Sequence, residues 1–209
     1  MRRHTTPLLR ATLFACLFSQ ACTPTFDTDD GDSDGEPAAA VVTEARGDGT
    51  YETTIDATDE EAWVYFDFEA AAQAEPGDPA DDPAWDLGAL RFNIKSNGGT
   101  SGSGGAAVAI LDGVAFDDVL QPPTAGYVED DASAPGSGGD SMSETSPGYA
   151  FDNWFAYNPV DHTLSPVADR VYVVRTPEGN HFKVELLSYY DGAGTPGILS
   201  LRWAALAAP

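Results

Sequence analysis

Apolar and polar residues alternate over several short stretches of the chain, and turn residues separate these stretches. Two of these stretches are residues 171–176 and 182–190, and the segment 177–180 between them has the composition of a hairpin turn. Four further stretches are rich in β-forming residues or alternate with period two: residues 63–68, 90–95, 106–111 and 198–206. No stretch carries a long apolar stripe of period 3.6, so the predicted fold class is all-β.

The alternation is most regular in residues 90–95. Leu90, Phe92 and Ile94 would share one face of a strand, and the intervening residues are Arg91, Asn93 and Lys95. One apolar face and one polar face are typical of a half-buried strand, so we predict a single strand here.

The first 21 residues have the features of an export signal. They contain Arg2, Arg3 and Arg10 and no acidic residue, and the apolar run 12–18 is too short to span a bilayer. The run leads to small residues before Cys22, a pattern similar to a bacterial lipoprotein cleavage box. We therefore predict a signal peptide over 1–21 and lipidation at Cys22, with Cys16 as the alternative lipidation site.

Residues 22–43 are predicted to form an acidic, disordered tether. Asp, Glu and Gly dominate this segment up to Glu36, and such a stretch cannot bury enough apolar surface to offset the entropy of ordering it. The remaining residues, 44–209, are enough for one folded β domain.

Charge and composition exclude several classes of function. The chain has 34 acidic residues against 10 Lys plus Arg, which gives a formal net charge of −24. A body this acidic repels nucleic acids and anionic lipid headgroups, so neither is an expected partner. Both cysteines lie in the first 22 residues, which leaves the predicted domain without a thiolate zinc site or a cysteine nucleophile. We expect a binding protein and no enzyme.

The order of several motifs resembles the HmuY family of bacterial haem (heme)-capturing surface lipoproteins. The matching segments are 62–66, 85–87, 91–102, 154–157, 162–166, 171–176, Gly179, Lys183 and 188–190. The resemblance implies an all-β domain of antiparallel sheets with long loop arms, anchored by lipid in the cell envelope as an outer-membrane lipoprotein that faces the periplasm or the outside. It also implies haem held between loop arms by two axial side chains, with an outer-membrane haem receptor or a host haem protein as a possible partner.

Two residues are the candidate axial ligands that this resemblance suggests. His162 lies in a predicted loop, and Met142 lies in the Gly- and Ser-rich segment 135–148. Imidazole nitrogen and thioether sulfur both bind haem iron. The neighbouring aromatic residues Trp154, Phe155 and Tyr157 are the candidate pocket walls.

Further expectations concern the other histidine of the domain and the cations. His181 shares a strand face with Lys183 and Glu185, so it is expected on the solvated surface. The propionates of haem would need cations, for which the candidates are Arg91, Arg170, Arg175 and Lys183. The alternative function is a β scaffold without haem that serves as a structural or protein-interaction module on the cell surface.

Overall fold

The computed structural model describes residues 39–135 and 147–207, with only the backbone described at 132–135 and 147. The strands are β1 (Val41–Ala45), β2 (Tyr51–Asp56), β3 (Val64–Asp67), β4 (Ala72–Ala74), β5 (Leu87–Leu90), β6 (Asn93–Ser96), β7 (Ala107–Asp112), β8 (Asp131–Pro135), β9 (Pro147–Gly148), β10 (Phe155–Asn158), β11 (Thr163–Pro166), β12 (Arg170–Arg175), β13 (His181–Tyr190) and β14 (Pro196–Leu206). One 3₁₀ turn spans Phe116–Asp118. The all-β prediction is confirmed.

The strands form two main antiparallel sheets. The larger has the order β1-β2-β14-β13-β12-β7, and the smaller has the order β4-β3-β5-β6. The pairs β8-β9 and β10-β11 are separate two-stranded hairpins. The predicted hairpin of β12 and β13 is present, with Arg175 opposite His181 at its turn end.

One core joins the inner faces of the two main sheets. Its centre is an aromatic group of Phe66, Phe68, Phe182 and Trp203, whose contacting ring centroids lie 5.0–5.9 Å apart. The Trp203 indole N–H donates to Thr53 Oγ1 at 2.8 Å, so the one polar group of this ring is also satisfied inside the core.

The outer face of the larger sheet is also covered. The segment 113–128 crosses it and places Phe116 against a second buried apolar cluster that includes Val171 and Val173. Lys183 is only 9% exposed, and its ammonium donates to the Phe116 carbonyl oxygen at 2.8 Å. The expectation that Lys183 lies on a solvated face was therefore wrong, because period-two alternation cannot reveal a covering loop.

The edge strand β7 makes one further pairing. The Val108 N–H donates to the Val128 carbonyl at 2.8 Å, and the Val128 N–H donates to the Val108 carbonyl at 2.9 Å. The backbone of the covering segment thus occupies the outer side of β7 at this point.

The single strand predicted over 90–95 is a hairpin instead. β5 ends at Leu90 and β6 begins at Asn93, and Arg91 between them has a φ of 53°. The Arg91 N–H donates to the Ala57 carbonyl at 2.9 Å, which fixes the turn on the neighbouring chain. This tertiary contact overrides the local alternation.

The folded body also begins earlier than residue 44. β1 starts at Val41, which is 8% exposed and belongs to the core. The predicted signal peptide, Cys16, Cys22 and the tether up to residue 38 lie outside the described residues. No helix among residues 39–135 and 147–207 has the length and apolar character needed to cross a membrane.

Candidate functional site

His162 lies at the end of the turn between β10 and β11. Asn158 and Thr163 are the last paired residues of this hairpin, and side chains hold the turn between them. The Asp161 carboxylate accepts the Thr163 hydroxyl at 2.7 Å, and Asn158 Oδ1 accepts the Val160 N–H at 3.0 Å. His162 itself has a φ of 58° and is exposed. The turn therefore presents the imidazole to solvent on a backbone that local hydrogen bonds fix.

The His162 imidazole contacts the Tyr157 side chain. Its Nδ1 atom and the Tyr157 hydroxyl form a short hydrogen bond, and the two ring centroids lie 5.9 Å apart. Tyr157 is half-buried on β10, and packing against the core holds its ring in place. With Nδ1 engaged, Nε2 is the nitrogen that is available to an external ligand.

The two other aromatic candidates attach the hairpin to the core. Trp154 is 2% exposed, and its indole N–H donates to the Phe92 carbonyl at 2.8 Å. Phe155 is half-buried, and its ring centroid lies 6.0 Å from that of Phe92. The structure thus brings His162 together with Tyr157 and Phe155 on one hairpin, and the buried Trp154 ring contacts the Phe155 ring with centroids 5.0 Å apart. Met142 lies outside the described residues.

Among the four candidate cations, Arg91, Arg170 and Lys183 donate to protein oxygen atoms. The Arg91 guanidinium donates to the Thr58 carbonyl at 2.9 Å, Arg170 forms an ion pair with Asp112 at 2.6 Å, and Lys183 donates to Phe116. The fourth, Arg175, lies 5.3 Å above the Tyr127 ring. These contacts give all four cations a structural role.

His181 is half-exposed beside this fourth cation. Its ring centroid lies 5.8 Å from that of Tyr127, and it stands opposite Arg175 in the β12–β13 hairpin. Burial, with a further contribution from the Arg175 charge, lowers the pKa of His181.

Three carboxylates form a compact cluster. One oxygen from each of Asp67, Glu69 and Asp86 lies within 4.8 Å of the other two. Asp86 is 2% exposed and accepts the Phe68 N–H at 2.7 Å, and burial raises its pKa to about 9. The Glu69 carboxylate accepts the Thr176 hydroxyl at 2.8 Å. Because Asp86 is protonated at neutral pH, these contacts indicate a structural hydrogen-bond network.

The glycine-rich segment after β6, residues 97–105, surrounds the buried side-chain amide of Asn97. The Asn97 side chain donates to the carbonyls of Asp82 and Trp85 at 3.0 and 2.8 Å and accepts the Gly104 N–H at 3.1 Å. A Cβ added at Gly98 would lie 1.9 Å from the Ala106 carbonyl oxygen. The glycines therefore allow close backbone packing. The strand β7 follows this segment, whereas a glycine-rich phosphate-binding loop would lead into a helix.

A second group of polar and aromatic side chains lies on the smaller sheet and was not predicted from the sequence. The Lys95 ammonium lies 4.2, 5.0 and 5.2 Å from the ring centroids of Trp63, Tyr65 and Trp85. The Tyr149 ring meets Trp63 edge to face, with centroids 6.0 Å apart. Trp63 and Tyr65, two residues apart beside a strand, share a face, and this spacing was the available signal.

Comparison with solved structures identifies similar folds. The provisionally described HmuY-like heme binding protein of Bacteroides vulgatus has 20% identity and a TM-score of 0.57, over 79% of this chain and 97% of that one. The apo HmuY analog of Tannerella forsythia has 16% identity and a TM-score of 0.55, over 82% and 100%. A Bacteroides fragilis protein, provisionally described as a lipoprotein, has 18% identity and a TM-score of 0.58, over 82% and 97%.

Comparison at the sequence level identifies the family. No curated protein sequence matches this chain. The family model described as HmuY protein matches residues 59–203, which run from the segment before β3 into β14 and include both the His162 hairpin and Lys95. This match covers more than half of the chain. The chain therefore belongs to the HmuY family.

Proposed function

We propose that this protein binds haem and that His162 is one axial ligand of the iron. The observation that carries the proposal is the pairing of an exposed imidazole with the Tyr157 hydroxyl through Nδ1. When Nδ1–H donates to the tyrosine oxygen, the lone pair lies on Nε2. Metal-binding histidines commonly have this arrangement, in which a neighbour fixes the tautomer and the ring orientation.

The chemistry of the hairpin suits a haem ligand. Imidazole nitrogen binds haem iron, and Phe155 and Tyr157 supply apolar surface beside it. The second ligand in this proposal is Met142, whose thioether sulfur would complete a His–Met pair. Haem bound in this way supplies the redox-active iron, while the protein supplies the two donors and holds the His162 ring.

A hemin titration tests the ligand assignment. The Soret band of the ferric and ferrous complexes should shift on binding to the wild-type protein. His162→Ala should weaken binding at least tenfold and change the spectrum, and Met142→Ala should change the spectrum as well. His181→Ala is the matched control, because it removes an imidazole from the β12–β13 hairpin. Unchanged binding and an unchanged spectrum in His162→Ala would contradict the proposal.

The proposed location is the cell envelope, with a lipid anchor at Cys22. The charge pattern of residues 1–21 and the small residues before Cys22 support it. Cells that express the full chain should incorporate a labelled fatty acid into the protein. Cys22→Ser should abolish the label, whereas Cys16→Ser should retain it; the reverse result assigns the anchor to Cys16.

A scaffold that binds a protein partner in place of haem is the second candidate function. An open groove of about 510 Å³ beside the 3₁₀ turn favours it, since Leu120 is 74% exposed there and Val119 and Leu111 line the same groove. If this function is correct, the protein should leave the hemin spectrum unchanged and bind a surface protein. Leu120→Asp should abolish that binding.

A further inference from the structure

Lys95 lies in an aromatic surface on the smaller sheet, which we name the Lys95 surface and define as Trp63, Tyr65, Lys95 and Tyr149. All four side chains are half-exposed. The fully buried Trp85 ring lies under them, with its centroid 5.2 Å from the Lys95 ammonium. The group therefore combines apolar ring surface with one positive charge at the boundary with solvent.

The strand register creates this arrangement. Tyr65 on β3 pairs with Gly88 on β5, and Gly88 pairs with Lys95 on β6. A Cβ at Gly88 would lie 2.9 Å from Lys95 Cε and 3.2 Å from Tyr65 Cε1. Because Gly88 has no side chain, the lysine reaches across β5 and its ammonium donates to the Tyr65 hydroxyl oxygen at 3.2 Å.

The Lys95 charge is placed differently from the other cations. The ion pairs found among residues 39–135 and 147–207 involve Arg46, Arg170 and Arg202, and Lys95 takes part in none of them. Aromatic ring faces surround its ammonium instead, and one hydroxyl accepts a hydrogen bond from it. An ammonium has three donors, so Lys95 retains the capacity to bind an anion.

Buried hydrogen bonds hold Tyr149 beside this lysine. The Asp130 carboxylate accepts the N–H groups of Ser96 and Ala150 at 2.9 and 2.8 Å. Ser96 follows Lys95 directly in the chain, and Ala150 follows Tyr149. The buried Asp130 carboxylate thus fixes the backbone next to Lys95 and next to Tyr149, and backbone donors engage its oxygens.

We propose that the Lys95 surface binds a flat, unsaturated ring system that carries carboxylates, in the manner of the propionate edge of a tetrapyrrole. Trp63 and Tyr149 would pack against the ring system, and the Lys95 ammonium would donate to a carboxylate. The positive charge of Lys95 favours an anionic ligand, because the ammonium lies over the aromatic rings and would repel a cation. The proposal deepens the proposed function and rests on it for the choice of a tetrapyrrole.

Metal-free protoporphyrin IX and its dimethyl ester test the proposal. Both have the flat ring system, neither has iron, and only the first has free carboxylates. Quenching of tryptophan fluorescence measures the affinity of the protein for each. Lys95→Gln should weaken protoporphyrin IX binding about tenfold, the typical effect of losing one charge-assisted hydrogen bond, and leave ester binding unchanged. Trp63→Ala should weaken the binding of both protoporphyrin IX and its dimethyl ester.

Arg46→Gln is the matched control, because it removes a cation from the β1–β2 turn on the larger sheet. It should leave both affinities unchanged, and the far-ultraviolet circular dichroism of Lys95→Gln should equal that of the wild type. Equal affinities of Lys95→Gln and Arg46→Gln for protoporphyrin IX would overturn the proposal. So would an equal loss of affinity for the acid and the ester in Lys95→Gln.

The same variants separate this inference from the axial-ligand proposal. If hemin binding depends on His162 but Lys95→Gln leaves protoporphyrin IX binding unchanged, the inference is wrong and the axial ligand stands. If Lys95→Gln weakens protoporphyrin IX binding selectively while His162→Ala leaves the hemin spectrum unchanged, the inference stands and the axial ligand is wrong. Failure of the wild-type protein to bind either porphyrin overturns the inference.

Discussion

The Asp130 carboxylate accepts the Ala150 N–H at 2.8 Å and connects two positions that are twenty residues apart in the sequence. The same carboxylate accepts the N–H and the hydroxyl of Ser96 on β6 at 2.9 and 3.0 Å. Asp130 is 2% exposed, and burial raises its pKa. This side chain therefore joins both ends of the segment 131–149 to the edge of the smaller sheet.

We predict that Asp130→Ala destabilises the protein by about 2–5 kcal/mol, since the substitution leaves two buried N–H donors without an acceptor. Urea unfolding measures the change. Glu129→Ala is the control, because Glu129 is an exposed acidic neighbour, and it should change the free energy of unfolding by less than about 0.5 kcal/mol. Equal stabilities of the two variants would show that the Asp130 hydrogen bonds contribute nothing.

A second prediction concerns the pH dependence of stability. The folded-state pKa of Asp86 is about 9, far above its ordinary value of 3.8, because burial disfavours the charged form. A raised pKa means that the folded state binds the proton more tightly than the unfolded state. The contribution of Asp86 to stability is therefore complete below pH 3.8 and is lost as the pH rises toward 9, at about 1.4 kcal/mol per pH unit.

Asp86→Asn should remove this pH dependence, because an amide keeps an acceptor for the Phe68 N–H and has no proton to lose. Urea unfolding between pH 4 and pH 9 measures the difference between variant and wild type, which should shift in favour of the variant as the pH rises. Asp81→Asn makes the same substitution at an exposed position and is the control. A constant difference for Asp86→Asn would refute the raised pKa.

A third prediction concerns Tyr157. Tyr157→Phe removes the hydrogen-bond partner of His162 Nδ1 and keeps the aromatic ring. If His162 binds iron, hemin affinity should fall about tenfold, the usual effect of losing the group that orients a metal-binding histidine. Tyr51→Phe, the same change on β2, is the control and should leave the affinity unchanged.

The double variant sharpens this test. In the His162→Ala background, Tyr157→Phe should have no additional effect on hemin binding, because the variant keeps the aromatic ring and the lost hydroxyl acts on the iron only through the imidazole. A tenfold loss in both backgrounds would mean that the Tyr157 hydroxyl acts on haem without His162.

A fourth prediction concerns the glycine-rich segment. Gly98→Ala should destabilise the fold by about 2–4 kcal/mol. The new Cβ would lie 1.9 Å from the Ala106 carbonyl oxygen, and neither of these two backbone segments can move aside easily. Gly77→Ala is the matched control, since nothing lies within 4 Å of a Cβ built there. Thermal unfolding of the two variants should separate them clearly, and equal midpoints would contradict the packing argument.

Local pattern was a reliable guide where strands are long and their turns carry strong signals. β12 and β13 were predicted because β-forming residues flank the segment 177–180, and the structure pairs them as expected. Residues 90–95 failed because six alternating residues look the same in a strand and in a short hairpin. The Arg91 N–H bond to Ala57, more than thirty residues away in sequence, decides between them.

The site was predictable only in part, for the same reason. The position of His162 in a loop could be inferred from the sequence, but its contact with Tyr157 depends on the register of the β10–β11 hairpin. Lys95 was assigned to the polar face of a single strand. Its position among Trp63, Tyr65 and Trp85 requires the pairing of three strands across Gly88, which no local pattern specifies.

The reciprocal hydrogen bonds between Val108 and Val128 have a consequence for self-association. A sheet edge with free backbone groups can act as a template for other chains and so promote aggregation. On β7 the chain's own backbone already occupies this position, so an incoming strand would first have to displace Val128. The larger sheet is thereby protected against open-ended growth at this point of its β7 edge.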